Sequence, residues 1–519
     1  GDFRVDHAGT VNVPVEALSP KVCQDDLGRI HVVWYDARSE ENSVYYNRSS
    51  NGGVTWNIQD TQLNTPTDGG DAVIGNGGQA GSVRVYTNED DAAANANIEI
   101  DGTISAIGGS STDTGNGAIG NSVGIRTAGG ASDITFTLSG LNIITDGGDA
   151  QTGNGGIAGL VDIQTTSTAN PAGSDITLAG WVYARGGDAT TGNGASGGFV
   201  TISTEGGESD ILLSNTDTNI STIGGNGSTA AGQGQAILID TDGTSSTITT
   251  NGTITSNGGN NTATGDGGQA GTIDISTDGD LATIDINGAI FATGGTAVTG
   301  VGGDGNTIEI DTLGSVAATI DIDANLQANG GNSTLSGNGG AAGTIDVTTD
   351  GIESQITIDG TSTANGGTSA DSTGGAGGTI NVDTDGNSSF ILIGDTVDSD
   401  ITFNGGQGND GGDAGSLTIT SDGDLAHIQI GTGSEITGNG GNVNSGSTGT
   451  GGNGGTVFIQ SDADFNGTDV LADYDNADVL IGSTITVNGG GDLVASTTPD
   501  STGGDGGTIT LQASAGLEE

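Results

Sequence analysis

Ala270-Gly271-Thr272-Ile273-Asp274-Ile275-Ser276-Thr277-Asp278-Gly279 is the pattern on which the reading of the whole chain turns. Ile273 and Ile275 stand two apart, so a β-strand places both on one face, and Asp278-Gly279 accepts the positive φ of a tight turn. The residues that follow keep the same rule. Ile284 and Ile286 form a second alternating pair, Asn287-Gly288 a second turn, and Ile290 leads into Gly294-Gly295. The order returns at Ala80-Gly81-Ser82-Val83, Gly197-Gly198-Phe199-Val200, Ala342-Gly343-Thr344-Ile345, Gly377-Gly378-Thr379-Ile380, Ala414-Gly415-Ser416-Leu417 and Gly506-Gly507-Thr508-Ile509. With looser copies near 120, 159, 235, 305 and 455 there are about twelve, most of them roughly 35 to 40 residues apart.

One such period cannot bury its own apolar face. Periods stacked about 4.8 Å apart set Ile over Ile in a narrow continuous core and pair each backbone with the coils above and below. The sequence therefore predicts an all-β fold: a Gly-rich parallel β-solenoid over residues 67–519, about twelve repeats of about 37 residues, right-handed by the general rule for parallel crossovers. The period leaves two layouts open, one large coil with a protruding Gly-rich loop or two rungs of about 18 residues.

Composition agrees with a core spread along a line. The 519 residues include 103 Gly and only 3% aromatics, and the formal charge is −57, values that suit disorder unless the apolar residues are regularly placed, as they are here. Acidic residues number 65 against 8 basic, and neither Lys nor Arg occurs after Arg185. Nucleic acid and anionic membranes are poor partners for such a chain, and no run of about 18 apolar residues is present to span a bilayer. Self-repulsion of this size suits a saline medium rich in cations, which points to an extracellular or cell-surface location. The lone Cys23 excludes an intrachain disulfide and reads as a small buried residue, the alternative being an interchain link or a reactive thiol. The start at Gly1 and the lack of Met suggest a processed form or a piece of a longer precursor.

Residues 1–66 read differently. They hold Trp34 and Trp56, two of the three tryptophans, and Ser49-Ser50-Asn51-Gly52-Gly53-Val54-Thr55-Trp56 fits the Asp-box pattern, Ser-x-Asp/Asn-x-Gly-x-Thr-Trp. This segment, from about residue 19 to 60, resembles one blade of a sialidase-like (BNR-repeat) propeller, with Ser49, Asn51, Gly53, Thr55 and Trp56 as its structural turn. Propellers close with about four to eight blades, so a single blade implies a connector or cap and cannot assemble the arginine cluster that catalysis in that family requires. The body, with stretches such as Ile284-Asp285-Ile286-Asn287-Gly288-Ala289-Ile290, resembles the β-helical stalks of filamentous-haemagglutinin-like and autotransporter-type surface proteins, in which the stalk is mainly scaffold.

Candidate sites are few. Gly405-Gly406-Gln407-Gly408-Asn409-Asp410-Gly411-Gly412-Asp413 resembles the nonapeptide of calcium-binding β-rolls, which would make Asp410 and Asp413 ligands; the bland alternative is a flexible Gly-rich turn. Asp274, Glu309 and Asp346 fall at one place in three successive periods, so their charges face screened solvent, are bridged by Ca²⁺ or, if each period is two rungs, stand farther apart. No cofactor is required on this reading. Asn215-Thr216-Asp217 matches the start of a polygalacturonase pattern whose later elements are missing, and His7, His31 and His427 are too scattered for a zinc site. The expected function is a non-enzymatic structural protein that self-assembles head to tail into a surface or matrix filament. The alternatives are an adhesin or glycan-binding stalk and, disfavoured by the Arg/Lys-free body, a polysaccharide-degrading enzyme.

Overall fold

The computed structural model describes residues 68–514 apart from 88–96, 130–131, 168–172, 395–396, 424, 463–477 and 492–500, and of the first 67 residues only four strands. The body is a parallel β-solenoid of three long sheets, and no helix occurs among the described residues. Twelve strands stack in the first sheet, from Val83–Tyr86 to Thr508–Ser514, and eleven in each of the other two. The coil that contains Gly271 shows the plan: Ile273–Thr277 lies in the first sheet, Thr283–Ile286 in the second and Ile290–Phe291 in the third.

Register decides between the two layouts left open by the period. Ile273 pairs with Ile308 and Ile308 with Ile345, while Ile284 pairs with Ile320 and Ile290 with Leu326. Neighbouring strands are therefore a whole repeat apart, 36 residues at Asn260 and Thr296, so each repeat is one large coil. The period lengthens to 40 between Asp413 and Asn453 and to 52 between Asn453 and Asp505, where longer connections are inserted.

The inward residues of all three sheets form one column. Ile273, Ile275, Ile284, Ile286 and Ile290 are fully buried, as are Ile308, Ile310, Ile320, Ile322 and Leu326 one coil later. Burying each Ile contributes about 1.5–3 kcal/mol, which offsets the ordering of a coil that is otherwise rich in Gly and Thr. The corner between the first and second sheets is a left-handed turn that non-glycine residues occupy in seven successive coils: Glu208, Ser245, Leu281, Ala317, Glu353, Ser388 and Leu425 all have φ between 49° and 63°.

The Gly-rich third of each coil is an ordered arm, which corrects the flexible-turn reading. An outgoing limb begins at the doublet Gly294-Gly295 and a return limb carries Gly302-Gly303. Gly295 N–H donates to Gly268 of the preceding coil at 2.8 Å, Gly303 N–H donates to Gly295 at 2.8 Å, and Gly331 N–H of the next coil donates to Gly303 at 2.8 Å. This zigzag runs unbroken from Gly70 to Gly504. These glycines have ordinary negative φ; what demands glycine is proximity, since a Cβ on Gly295 would lie 1.8 Å from the Gly259 carbonyl oxygen. The outgoing doublet is glycine in all twelve coils, whereas Ala118 and Ala195 stand in the return limb.

In the head, Leu18–Gln24, Ile30–Ser39, Glu41–Ser49 and Thr61–Gln62 form a four-stranded antiparallel sheet in chain order. Trp34 is in register with Tyr45 and Cys23 with His31.

Candidate functional site: the acidic face and the glycine arm

Two columns of outward residues run up the first sheet. The first stacks Asp274, Glu309 and Asp346 in direct register, as the spacing predicts, and ends at Asn381, whose Nδ2 donates to Asp346 Oδ1 at 2.9 Å. The second alternates carboxylates with hydroxyls: Asp240, Ser276, Asp311, Thr348, Asp383 and Thr420. Ser276 Oγ donates to Asp240 at 3.2 Å, and the Thr420 hydroxyl donates to Asp383. Sequence reading found the first column and missed the second, because alternating Asp with Ser or Thr does not stand out as a charge run.

Among the described residues no Lys or Arg lies against the stretch from Asp240 to Thr420; Arg126, three coils before Asp240 in the second column, is paired with Asp162. Partial burial pushes Asp311 up to about 7, helped by the charges of Asp274, Glu309, Asp278 and Asp240. Asp240 rises to about 6, first through burial and then through Asp242. Burial also raises Asp274, raises Glu309 with help from Asp274 and Asp346, and raises Asp383 against the opposing hydrogen bond from Thr420. Asp240 and Asp311 therefore keep their protons to a higher pH than a free carboxyl does. Among the described residues no three or more His, Cys, Asp or Glu side chains are grouped to hold a metal ion.

Asp410 and Asp413 lie elsewhere, on the return limb of the glycine arm, flanking Gly411-Gly412. Each carboxylate accepts a backbone N–H from the next coil, Thr450 to Asp410 at 2.9 Å and Asn453 to Asp413 at 2.7 Å. Asn453 then accepts from Asp505 N–H at 3.0 Å. Ladders of this kind, Asn or Asp Oδ1 receiving the N–H of the equivalent residue one coil on, flank the doublets along the whole arm and explain why Asn and Asp recur there. A sequence signal existed: an Asn or Asp stands beside most Gly-Gly pairs.

The remaining candidates have structural surroundings. Asn215 Nδ2 donates to the Ser139 carbonyl two coils away at 3.2 Å and its Oδ1 accepts Asp217 N–H at 2.8 Å, a polar turn. His427 sits in the second sheet between Phe390 and Asp478. Ser49 ends a head strand, and Asn51, Gly53, Thr55, Trp56 and His7 lie outside the described residues. Beyond the repeat, one cluster is distinctive: Trp181 and Tyr183 stack with centroids 5.9 Å apart, Arg185 covers Tyr183 at 4.2 Å, and Arg185 pairs with Asp146 at 2.6 Å. Trp181, Tyr183 and Arg185 thus pack in a row along the third-sheet strand Trp181–Tyr183 and the residues just after it. Compared with family models, with curated proteins and with solved structures, the chain matches none.

Proposed function

We propose that the chain is a non-enzymatic structural subunit of a cell-surface or extracellular filament. The observation that carries this reading is the axial continuity of the fold: three sheets, one apolar column and the glycine zigzag all run the length of the body, so each coil is a template for the next. Every first-sheet strand from Val123–Gly129 to Thr456–Asp462 pairs with a coil on each side, so a second copy stacked on the same axis would continue the same three sheets. The head sheet, read as a lone sialidase-like blade, serves as the connector between subunits, and the body as a stalk of the filamentous-haemagglutinin-like kind. Calcium bound between the acidic columns of the first sheet would relieve the repulsion of a body without basic residues beyond Arg185.

Negative-stain microscopy of the full chain and of a form lacking residues 1–66 tests the reading. Long regular fibres from the full chain, and folded single rods from the shortened one, are the expected result. Isolated rods from both would remove the filament. Fibres from both would keep the filament and remove the connector role of the head.

A further inference from the structure

We propose that the outgoing limb of the glycine arm is a binding groove for an extended, neutral, β-linked polysaccharide. The groove is floored by the Gly-Gly doublets and walled by the residues on either side of them. Part of it is a cavity of about 340 Å³ lined by Thr368, Asn404, Gln407, Asn439 and Asn442 around Gly405-Gly406 and Gly440-Gly441.

The ladders fix which atoms the walls offer. Asn365 Oδ1 accepts Asn404 N–H at 2.7 Å, Asn404 Oδ1 accepts Asn439 N–H at 2.7 Å, and Asn439 Oδ1 accepts Asn488 N–H at 2.8 Å. Across the doublet, Asn442 Oδ1 accepts Gly491 N–H at 2.9 Å. With each oxygen committed to the next coil, the Nδ2 of Asn404, Asn439 and Asn442 is turned away from the ladder and makes no hydrogen bond within the described protein. On the first wall this leaves two free amide donors one coil apart, about 4.8 Å, at Asn404 and Asn439, with Asn442 across the doublet; in the coils before them the amides of Asn329 and Asn365 donate to the Thr363 and Thr402 hydroxyls at 3.0 and 2.8 Å, and that of Gln407 to Asn444 at 2.8 Å.

Charge selects the ligand class. On one wall from Asn257 to Asn488, and on the other from Asn226 to Asn442, every position is Asn, Thr or Gln. Nearer the N-terminus the same walls carry Asp68, Asp71, Asp146, Asp149, Arg185 and Asp188. An uncharged lane half the length of a chain with a net charge of −57 rejects anionic polymers by its surroundings, and within it Asn404, Asn439 and Asn442 offer amide donors to hydroxyl and ring oxygens. The side-chain-free floor admits a flat ring against the backbone, and the free amides of Asn404 and Asn439, one coil apart, suit a ligand that repeats at a similar length, as an extended β-linked glycan does. No aromatic platform lies in the groove, so binding is weak per sugar and grows with chain length.

The test uses the full chain and four neutral probes, the hexamers of the cello, xylo, manno and chito series, with the matching disaccharides. Substituting Asn404→Asp, Asn439→Asp and Asn442→Asp together keeps every ladder acceptor, as Asp146 and Asp188 show elsewhere in these walls by accepting Arg185 and Asn226 N–H at 2.8 and 2.6 Å, and removes the donors. At least one hexamer is expected to bind in titration calorimetry, with affinity indifferent to NaCl and lost in its disaccharide. The triple variant, with like charges in adjacent coils, is expected to melt somewhat below the parent at neutral pH while staying folded, and to bind at least about ten-fold more weakly. Failure of all four hexamers to bind, or equal binding by the folded variant, overturns the proposal. So does binding that leaves the side-chain amide resonances of Asn404 and Asn439 unmoved in the parent protein, a readout that does not depend on the variant folding. These results are independent of whether the chain forms filaments.

Discussion

Thr277 sits at the inner end of a first-sheet strand, fully buried, and its hydroxyl has no partner. Thr204, Thr241, Thr312 and Thr349 repeat this in register, whereas the Thr384 hydroxyl one coil on is hydrogen-bonded with those of Ser421 at 2.9 Å and Ser389 at 3.2 Å. Threonine is there for its β-branched shape, which fits the corner, and the hydroxyl comes with it. An isosteric change tests this. Thr277→Val removes an unpaired buried hydroxyl and is expected to stabilise by about 1 kcal/mol, while Thr384→Val breaks a satisfied pair and is expected to destabilise by a similar amount. Denaturant midpoints for the two variants measure it, and stabilisation of both, or of neither, would discard the distinction between them. The column was invisible in the sequence because Thr alternates with Ile in strands of every orientation, and only the register shows which threonines point inward.

The element most instructive to compare with its sequence is the glycine arm. Strands such as Ile273–Thr277 were legible because alternation at a spacing of two is a local property. The arm was not, because its glycines answer to neighbours about 36 residues away. What reads along the chain as loosely repeating Gly, Asn and Thr is, across coils, a close backbone packing with a hydrogen bond at every doublet. The repeats also carry natural variation that ranks the two limbs. A Cβ on Gly295 would stand 1.8 Å from a carbonyl oxygen at a position that is glycine in every coil, so Gly295→Ala is expected to cost about 3 kcal/mol. Gly303→Ala changes a position filled by Ala118 and Ala195 in other coils and is expected to cost clearly less, although the undisturbed geometry places its Cβ as near, 1.8 Å from Gly268. Chemical denaturation of the two variants compares them, and equal losses would show that alanine is tolerated only in its own coils.

At the scale of the whole molecule, charge weighs most. The acidity and the absence of basic residues beyond Arg185 were plain in the composition, and Asp274, Glu309 and Asp346 were correctly placed together by counting periods; the raised groups at Asp240 and Asp311 needed the register to be seen. Because folding raises these two carboxyls, to about 6 and about 7, the folded chain holds more protons than the unfolded one between about pH 4 and 7. Their contribution is fully present below the unfolded value and is lost as pH rises through the folded values. Melting temperature in low salt is therefore expected to fall from pH 5 to pH 8. Asp311→Asn should raise it at pH 8 and leave it unchanged at pH 4. A flat profile, or a variant that gains equally at both pH values, would remove the acidic face from the account of stability.

The glycine zigzag from Gly70 to Gly504 also has a mechanical meaning. Its bonds between coils, such as Gly295 to Gly268 and Gly331 to Gly303, join neighbours along the long axis as the bonds of the three sheets do, so a pull on the two ends of the body loads them in tension one coil at a time instead of shearing many together. Each coil that peels away frees about 36 residues, a tether of roughly 120 Å where the folded coil spanned about 4.8 Å. A body built this way is stiff until its terminal coil yields and then lengthens in steps, reforming on the exposed edge when the load is released.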